Sequence, residues 1–147
     1  MRKRSLLISI MLVLVLPVIV TGGSKRSVSV DDVRGEWYTV DYNNAHPSPP
    51  AKVICGLDGT ISEYPNLSSK EPQDRGTFSI IDSWVDEQGN LYLKVNCKYE
   101  KPESVHNTFD LWKLDRDGTI WELNRNLTEF PSRIDRTDPS YMLFNRR

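Results

Sequence analysis

The chain is poor in the residues from which metal and redox sites are built: two cysteines, Cys55 and Cys97, and two histidines, His46 and His106, in 147 residues. No paired Cys or His spacing for zinc is present, nor is a glycine-rich phosphate loop. No run of more than two basic residues occurs beyond residue 4, and this disfavours nucleic acid as a partner, since phosphates require a cationic surface. Helical stripes are missing as well, because every long apolar pattern has period two. The longest apolar run, residues 6–20, holds fifteen positions, short of the roughly 20 that a spanning helix needs.

That run has its own reading. Arg2, Lys3 and Arg4 precede it and small residues follow, the order of a secretory leader over residues 1–23. "VIVTGGSK" resembles the lipid-attachment box of bacterial lipoproteins, with Gly23 where that box has its cysteine. A thioether to diacylglycerol needs a thiol, so the chain as written lacks that anchor. The resemblance implies a bacterial host and export to the periplasm or cell envelope, or secretion. Residues 24–32 are then a short linker, and residues 33–147 are one domain with one core. Removing the leader takes three of 19 basic residues and leaves 16 against 20 acidic ones, a net charge of −4. In an oxidising compartment Cys55 and Cys97 are candidates for a disulfide. Buried free thiols, packed as small hydrophobes, are the equal alternative. Asn66-Leu67-Ser68 and Asn126-Leu127-Thr128 match glycosylation acceptors, but such tripeptides arise by chance and a bacterial host sets them aside.

What is abundant is strand signal. Residues 37–42 alternate, and Leu91, Leu93, Val95 and Cys97 share one face while Tyr92, Lys94, Asn96 and Lys98 share the other. "NNAHPSPP" is a loop, its prolines barring helix or central strand. Asp58-Gly59 and Asp117-Gly118 are each followed by Thr-Ile and predict two-residue hairpin turns, with Gln88-Gly89-Asn90 in the same role. "NLTEFPSRIDRTDPS" is the exception, a single helical turn or a long loop. Phe109 and Leu111 make a second apolar face opposite Trp112 and Leu114, which predicts an exterior patch or a packed helix. About eight strands with short connections predict an all-β fold, a single antiparallel up-and-down barrel whose first and last strands pair and so remove the sheet edges.

Gly35-Glu36-Trp37 at the start of the first strand resembles the signature of the lipocalins and the wider calycin group. "VICGLDGTI", "RGTFSI", "LDRDGTIWEL" and "FNRR" follow in the order found in lipocalin-like domains of secreted bacterial proteins. The Thr-Asp-Tyr signature of true lipocalins is missing. The resemblance implies that Trp37 plugs one barrel end beneath an arginine of the last strand, Arg146, with Arg147 as its rival. It also implies a small hydrophobic ligand in the mouth opposite Trp37, with "NNAHPSPPA" as the loop across that mouth. By alternation alone, Val53, Cys55, Leu91, Leu93 and Val95 point inward as its lining.

The remaining constellations carry little chemistry. "DRDGTI" has the look of half a calcium loop, but Lys113 falls where the first oxygen ligand belongs, and a hairpin turn accounts for it. The two histidines lie 60 residues apart and are expected as polar surface residues rather than catalytic or haem-ligating ones. The aromatics, by contrast, are numerous enough to fill a small barrel, and filling and cargo compete for one volume. The sequence therefore predicts a monomeric, exported, non-enzymatic binding protein without cofactor or metal. It is expected to hold a small apolar or aromatic ligand in the barrel; the alternative is a protein-binding module with a filled barrel, such as an inhibitor of a periplasmic hydrolase.

Overall fold

The computed structural model describes residues 27–101 and 104–147; the expected leader and the box around Gly23 lie outside them. A 3-10 turn, Val30–Asp32, precedes eight strands: β1 (Gly35–Tyr42), β2 (Lys52–Cys55), β3 (Thr60–Tyr64), β4 (Asp74–Val85), β5 (Leu91–Lys101), β6 (Ser104–Leu114), β7 (Ile120–Asn126) and β8 (Met142–Arg146). Each pairs antiparallel with its sequence neighbours, and β8 returns to pair with β1, so the sheet closes into a barrel. The fold is the one the period-two pattern predicts.

The hairpins differ from expectation in their turns. Two-residue turns of the Asp-Gly kind need positive φ at both central residues, yet only glycines take positive φ among the described residues. Instead, Gly59 N–H donates to Gly56 O, Gly89 N–H to Asp86 O and Gly118 N–H to Asp115 O. All three hairpins thus end a four-residue turn on a glycine, which alone turns left-handed. Two of these turns open on an aspartate that is not the one of an Asp-Gly pair, and its carboxylate holds the turn. Asp115 Oδ1 accepts from the amides of Thr119 and Ile120, and Asp86 Oδ1 accepts from those of Gln88 and Asn90.

Inward positions follow the register. Trp37 lies opposite Val53 on one side and Arg146 on the other, and Leu93 opposite Trp112, which lies opposite Leu123. Trp121 is the hub: its ring is 5.4 Å from Trp37 edge-on, 4.6 Å from Trp112 and 4.7 Å from Phe144. Phe78 adds a further ring 5.3 Å from Trp112. These side chains are almost wholly buried, and they occupy the bore. Each aromatic pair contributes about 0.5–1.5 kcal/mol beyond its buried area.

Gly76, inward on β4, lets β4 and β5 approach closely; a Cβ there would stand 2.2 Å from Lys98 O. The expected linker is partly structured. Ser29 caps the 3-10 turn in a reciprocal box with Asp32, and Val28 and Val30 pack against the core. The proline-containing stretch at residues 127–141 is a loop rather than a helix. It lies across the outer wall of β6 and β7, where Phe130 meets Phe109 edge-on at 5.2 Å. The outward Leu111 is fully buried, so the second apolar face of β6 is covered by this loop and not by a helix.

β4 is much longer than β3. Their pairing ends at Thr60–Thr77, with one further bond from Phe78 N–H to Gly59 O. Beyond that point β4 pairs with β5 alone, and among the described residues no strand borders the other edge of residues 79–85.

Candidate functional site

Three places could carry function: the end stoppered by Trp37, the opposite end, and the outer surface along β4. At the first, Trp37 enters the core directly after Gly35, whose φ of 129° is a backbone state L side chains rarely adopt. This is the local reason for glycine in Gly-x-Trp. Trp37 Nε1 donates to Val33 O at 2.8 Å, satisfying a buried donor. The Arg146 guanidinium carbon lies 4.3 Å from the Trp37 ring centre, and Arg146 Nη2 donates to Asp32 O at 3.0 Å. Arg147 is elsewhere, 4.6 Å over Tyr38.

Of the residues expected to line a ligand site, Val53, Cys55, Leu91, Leu93 and Val95 all point inward and are buried. They pack in one cluster with Trp37, Trp112, Trp121 and Phe144. The disulfide candidate is corrected: Cys55 and Cys97 are free and buried, on β2 and β5, two strands that do not pair. Burial pushes the Cys55 thiol up to about 12. Burial also raises Cys97 well above its ordinary value, with the Asp110 carboxylate adding to it.

The end opposite Trp37 is unexpectedly polar. Glu63 from β3, Tyr99 from β5, Asp110 from β6 and Arg125 from β7 meet inside the barrel. Tyr99 Oη donates to Glu63 Oε1 at 2.6 Å and accepts from Arg125 Nη2 at 2.7 Å. Arg125 Nη2 also reaches Glu63 Oε1 at 3.0 Å, and its Nε reaches Asp110 Oδ1 at 3.2 Å. Asp110 Oδ2 accepts from Trp112 Nε1 at 3.1 Å. Burial works against the Arg125 charge, but Asp110, Tyr99 and Glu63 outweigh it and hold the guanidinium protonated.

Both histidines flank this cluster. His106 stacks on Tyr99 with centroids 5.4 Å apart. His46, from the β1–β2 loop, is lowered by burial and then by the Arg125 charge, and its Nδ1 accepts from Ser48 N–H at 3.3 Å. The β1–β2 loop reaches this end through His46, whereas the cluster itself was not expected from the sequence. Its members come from four strands and share no local motif; only the inward parity of Glu63, Asp110 and Arg125 in otherwise apolar strands signalled it. Chemically the cluster is closed: one guanidinium bridges two carboxylates and a phenol, and the nearby thiol is neutral.

The outer surface is less satisfied. Ile81, Trp84 and Val85 on the unbordered part of β4 are 57%, 40% and 43% exposed. Trp84 lies parallel to Tyr92 at 5.3 Å, which holds it upright. Trp84 also separates two open grooves. One, about 450 Å³, runs along the outer wall toward Arg133 and Arg136. The other, about 1280 Å³, runs beneath the stoppered end between β4, the β6–β7 turn and the N-terminal segment. Its floor includes Val85, Leu91 and Leu114. Its walls carry six carboxylates, those of Asp31, Asp32, Asp82, Asp86, Asp115 and Asp117. Two guanidiniums, Arg116 and Arg146, oppose them.

No family model matches the chain, and neither does any curated protein or solved structure. No helix among the described residues is long and apolar enough to cross a membrane.

Proposed function

We propose that this is an exported, non-enzymatic protein-binding module built on a filled lipocalin-like barrel. The observation that carries this reading is the occupied bore: Trp37, Trp112, Trp121, Phe78 and Phe144 interlock along it, and the far end is closed by the Arg125 network. An apolar cargo would have to displace rings already in contact, or desolvate the Arg125 ion-pair cluster. The closed eight-strand topology and Arg146 over Trp37 support the lipocalin-like part of the reading. The expected leader supports export to the periplasm or cell envelope. Half-exposed aromatics on the outer surface are the usual material of binding hot spots.

The test is a titration of tryptophan fluorescence with a fatty-acid probe, beside native mass spectrometry of freshly purified protein. The expected result is no saturable quenching and no co-purified small molecule. Saturable quenching at one probe per chain would overturn the reading in favour of a carrier.

A further inference from the structure

A barrel has no free strand edge except where a strand outruns its neighbour, and β4 outruns β3 by most of its second half. Residues 79–85 pair with β5 on one side, with a bulge between Ile80 and Asp82, and among the described residues no strand lies on the other. Beyond the bulge at Ile81 the strand runs regularly through Asp82–Val85, and the amides facing outward there are a template for another strand.

The side chains along this edge fit that use. Ile81, Trp84 and Val85 are exposed there, and the acidic groove runs alongside through Asp82 and Asp86. Ser83 N–H is not engaged with β5; it donates to the neighbouring Asp82 Oδ1 at 2.9 Å. That contact is local, between adjacent residues.

We propose that the free edge of β4, residues 79–85, takes up an extended segment of a basic partner protein by strand addition. The segment's backbone pairs with β4, its Lys or Arg side chains meet Asp82 and the acidic groove, and its alternate apolar side chains cover Val85 on the opposite face, beside Leu91 and Leu114. Charge decides the occupant. Six carboxylates against two guanidiniums repel a second copy of the same edge, whereas a cationic strand neutralises it. This rests on the protein-binding reading and names its partner class.

The probe is a ten-residue peptide alternating Lys with Val, capped at both ends, compared with its Glu-for-Lys counterpart and with a version N-methylated at alternate amides. The readouts are affinity and amide hydrogen exchange of residues 79–85. Saturable binding of the Lys peptide, weakened at least tenfold by N-methylation and by Asp82→Asn with Asp117→Asn, is expected. At least tenfold slower exchange of the Ser83 amide accompanies it, and Glu71→Gln with Glu129→Gln, an equal charge change elsewhere, leaves affinity unchanged. Ser83→Pro, which removes an outward donor without touching the β5 ladder, also weakens binding; the N-methylated peptide tests the same point should that variant misfold. Equal binding of the acidic or N-methylated peptide, no saturable binding, or edge protection arising from dimers without peptide would each overturn the proposal. Those failures leave the fatty-acid titration untouched, so the two ideas fail separately.

Discussion

Arg146, on the last strand, lays its guanidinium 4.3 Å above the ring of Trp37 on the first, and the two residues are register partners across the seam that closes the barrel. The contact also reaches the N-terminal turn through Asp32 O, so one side chain ties three segments. Arg146→Ala is expected to cost about 1–3 kcal/mol, the sum of a cation–π contact and one hydrogen bond. Trp37→Ala, which empties the stopper, is expected to cost about 3–5 kcal/mol. Urea denaturation measures both, and an Arg146→Ala midpoint equal to the parent's would show that the contact contributes nothing.

Among the described residues, Arg125 is the one cation that bridges Glu63 and Asp110 inside the barrel. Arg125→Met leaves two carboxylates buried without a counter-charge, and a broken buried pair costs about 3–5 kcal/mol. Glu63→Gln with Asp110→Asn in the same chain is expected to recover most of that loss. If the triple variant is no more stable than Arg125→Met alone, the network is not held by charge balance.

Glu122, outward on β7 beneath the 127–141 loop, sets an acid limit. Burial raises its carboxyl, but hydrogen bonds from Arg136, Lys113 and Tyr141 outweigh this and hold it below the ordinary range. A carboxylate depressed by folding contributes stability above its unfolded value, about 4.3, and loses it as pH falls through the folded one. The denaturation midpoint is therefore expected to drop as pH falls below about 4.3. Glu122→Gln is expected to be less stable at pH 7 and to show a shallower acid decline. Identical slopes in both proteins would remove Glu122 from the account.

The two thiols are free and buried, which can be checked chemically. With Cys55 pushed up to about 12 and Cys97 raised as well, and both buried, neither carries an accessible thiolate at pH 8. A thiol reagent is expected to find almost no reactive group in the native protein and two after denaturation. No reactive thiol even in denaturant would restore the disulfide.

Gly76→Ala tests how closely β4 and β5 are drawn together. A Cβ at 2.2 Å from Lys98 O cannot be absorbed by a side-chain rotation, because the obstacle is backbone. A loss of about 1–3 kcal/mol is expected, read as a lower thermal midpoint. Gly118→Ala is the comparison with no neighbour in the way; it reports the left-handed backbone cost alone, and a drop equal to that of Gly76→Ala would mean that crowding adds nothing.

Much of the fold was legible because its signals are local. Alternation from residue 91 to 97 states which face is buried, and Gly59, Gly89 and Gly118 state where the chain reverses in three of the hairpins. The pairing of Trp37 with Arg146 was legible for a different reason: a strand order of neighbours leaves only the two ends to close the sheet. The turn type was misread since Asp-Gly serves both two-residue turns and four-residue turns that end on glycine, and the choice depends on how many residues the flanking strands leave over.

The sequence by itself determined the strands, their order and which side chains enter the barrel, since a period of two and near-neighbour connections are properties of the chain's own geometry. Only the tertiary structure decided that the bore is filled, that Glu63, Tyr99, Asp110 and Arg125 meet, that the cysteines stay apart, and that half of β4 has, among the described residues, a strand on one side only. Each of these depends on the relative lengths and stagger of strands far apart in the chain, and distance across a closed sheet is not written in any local pattern.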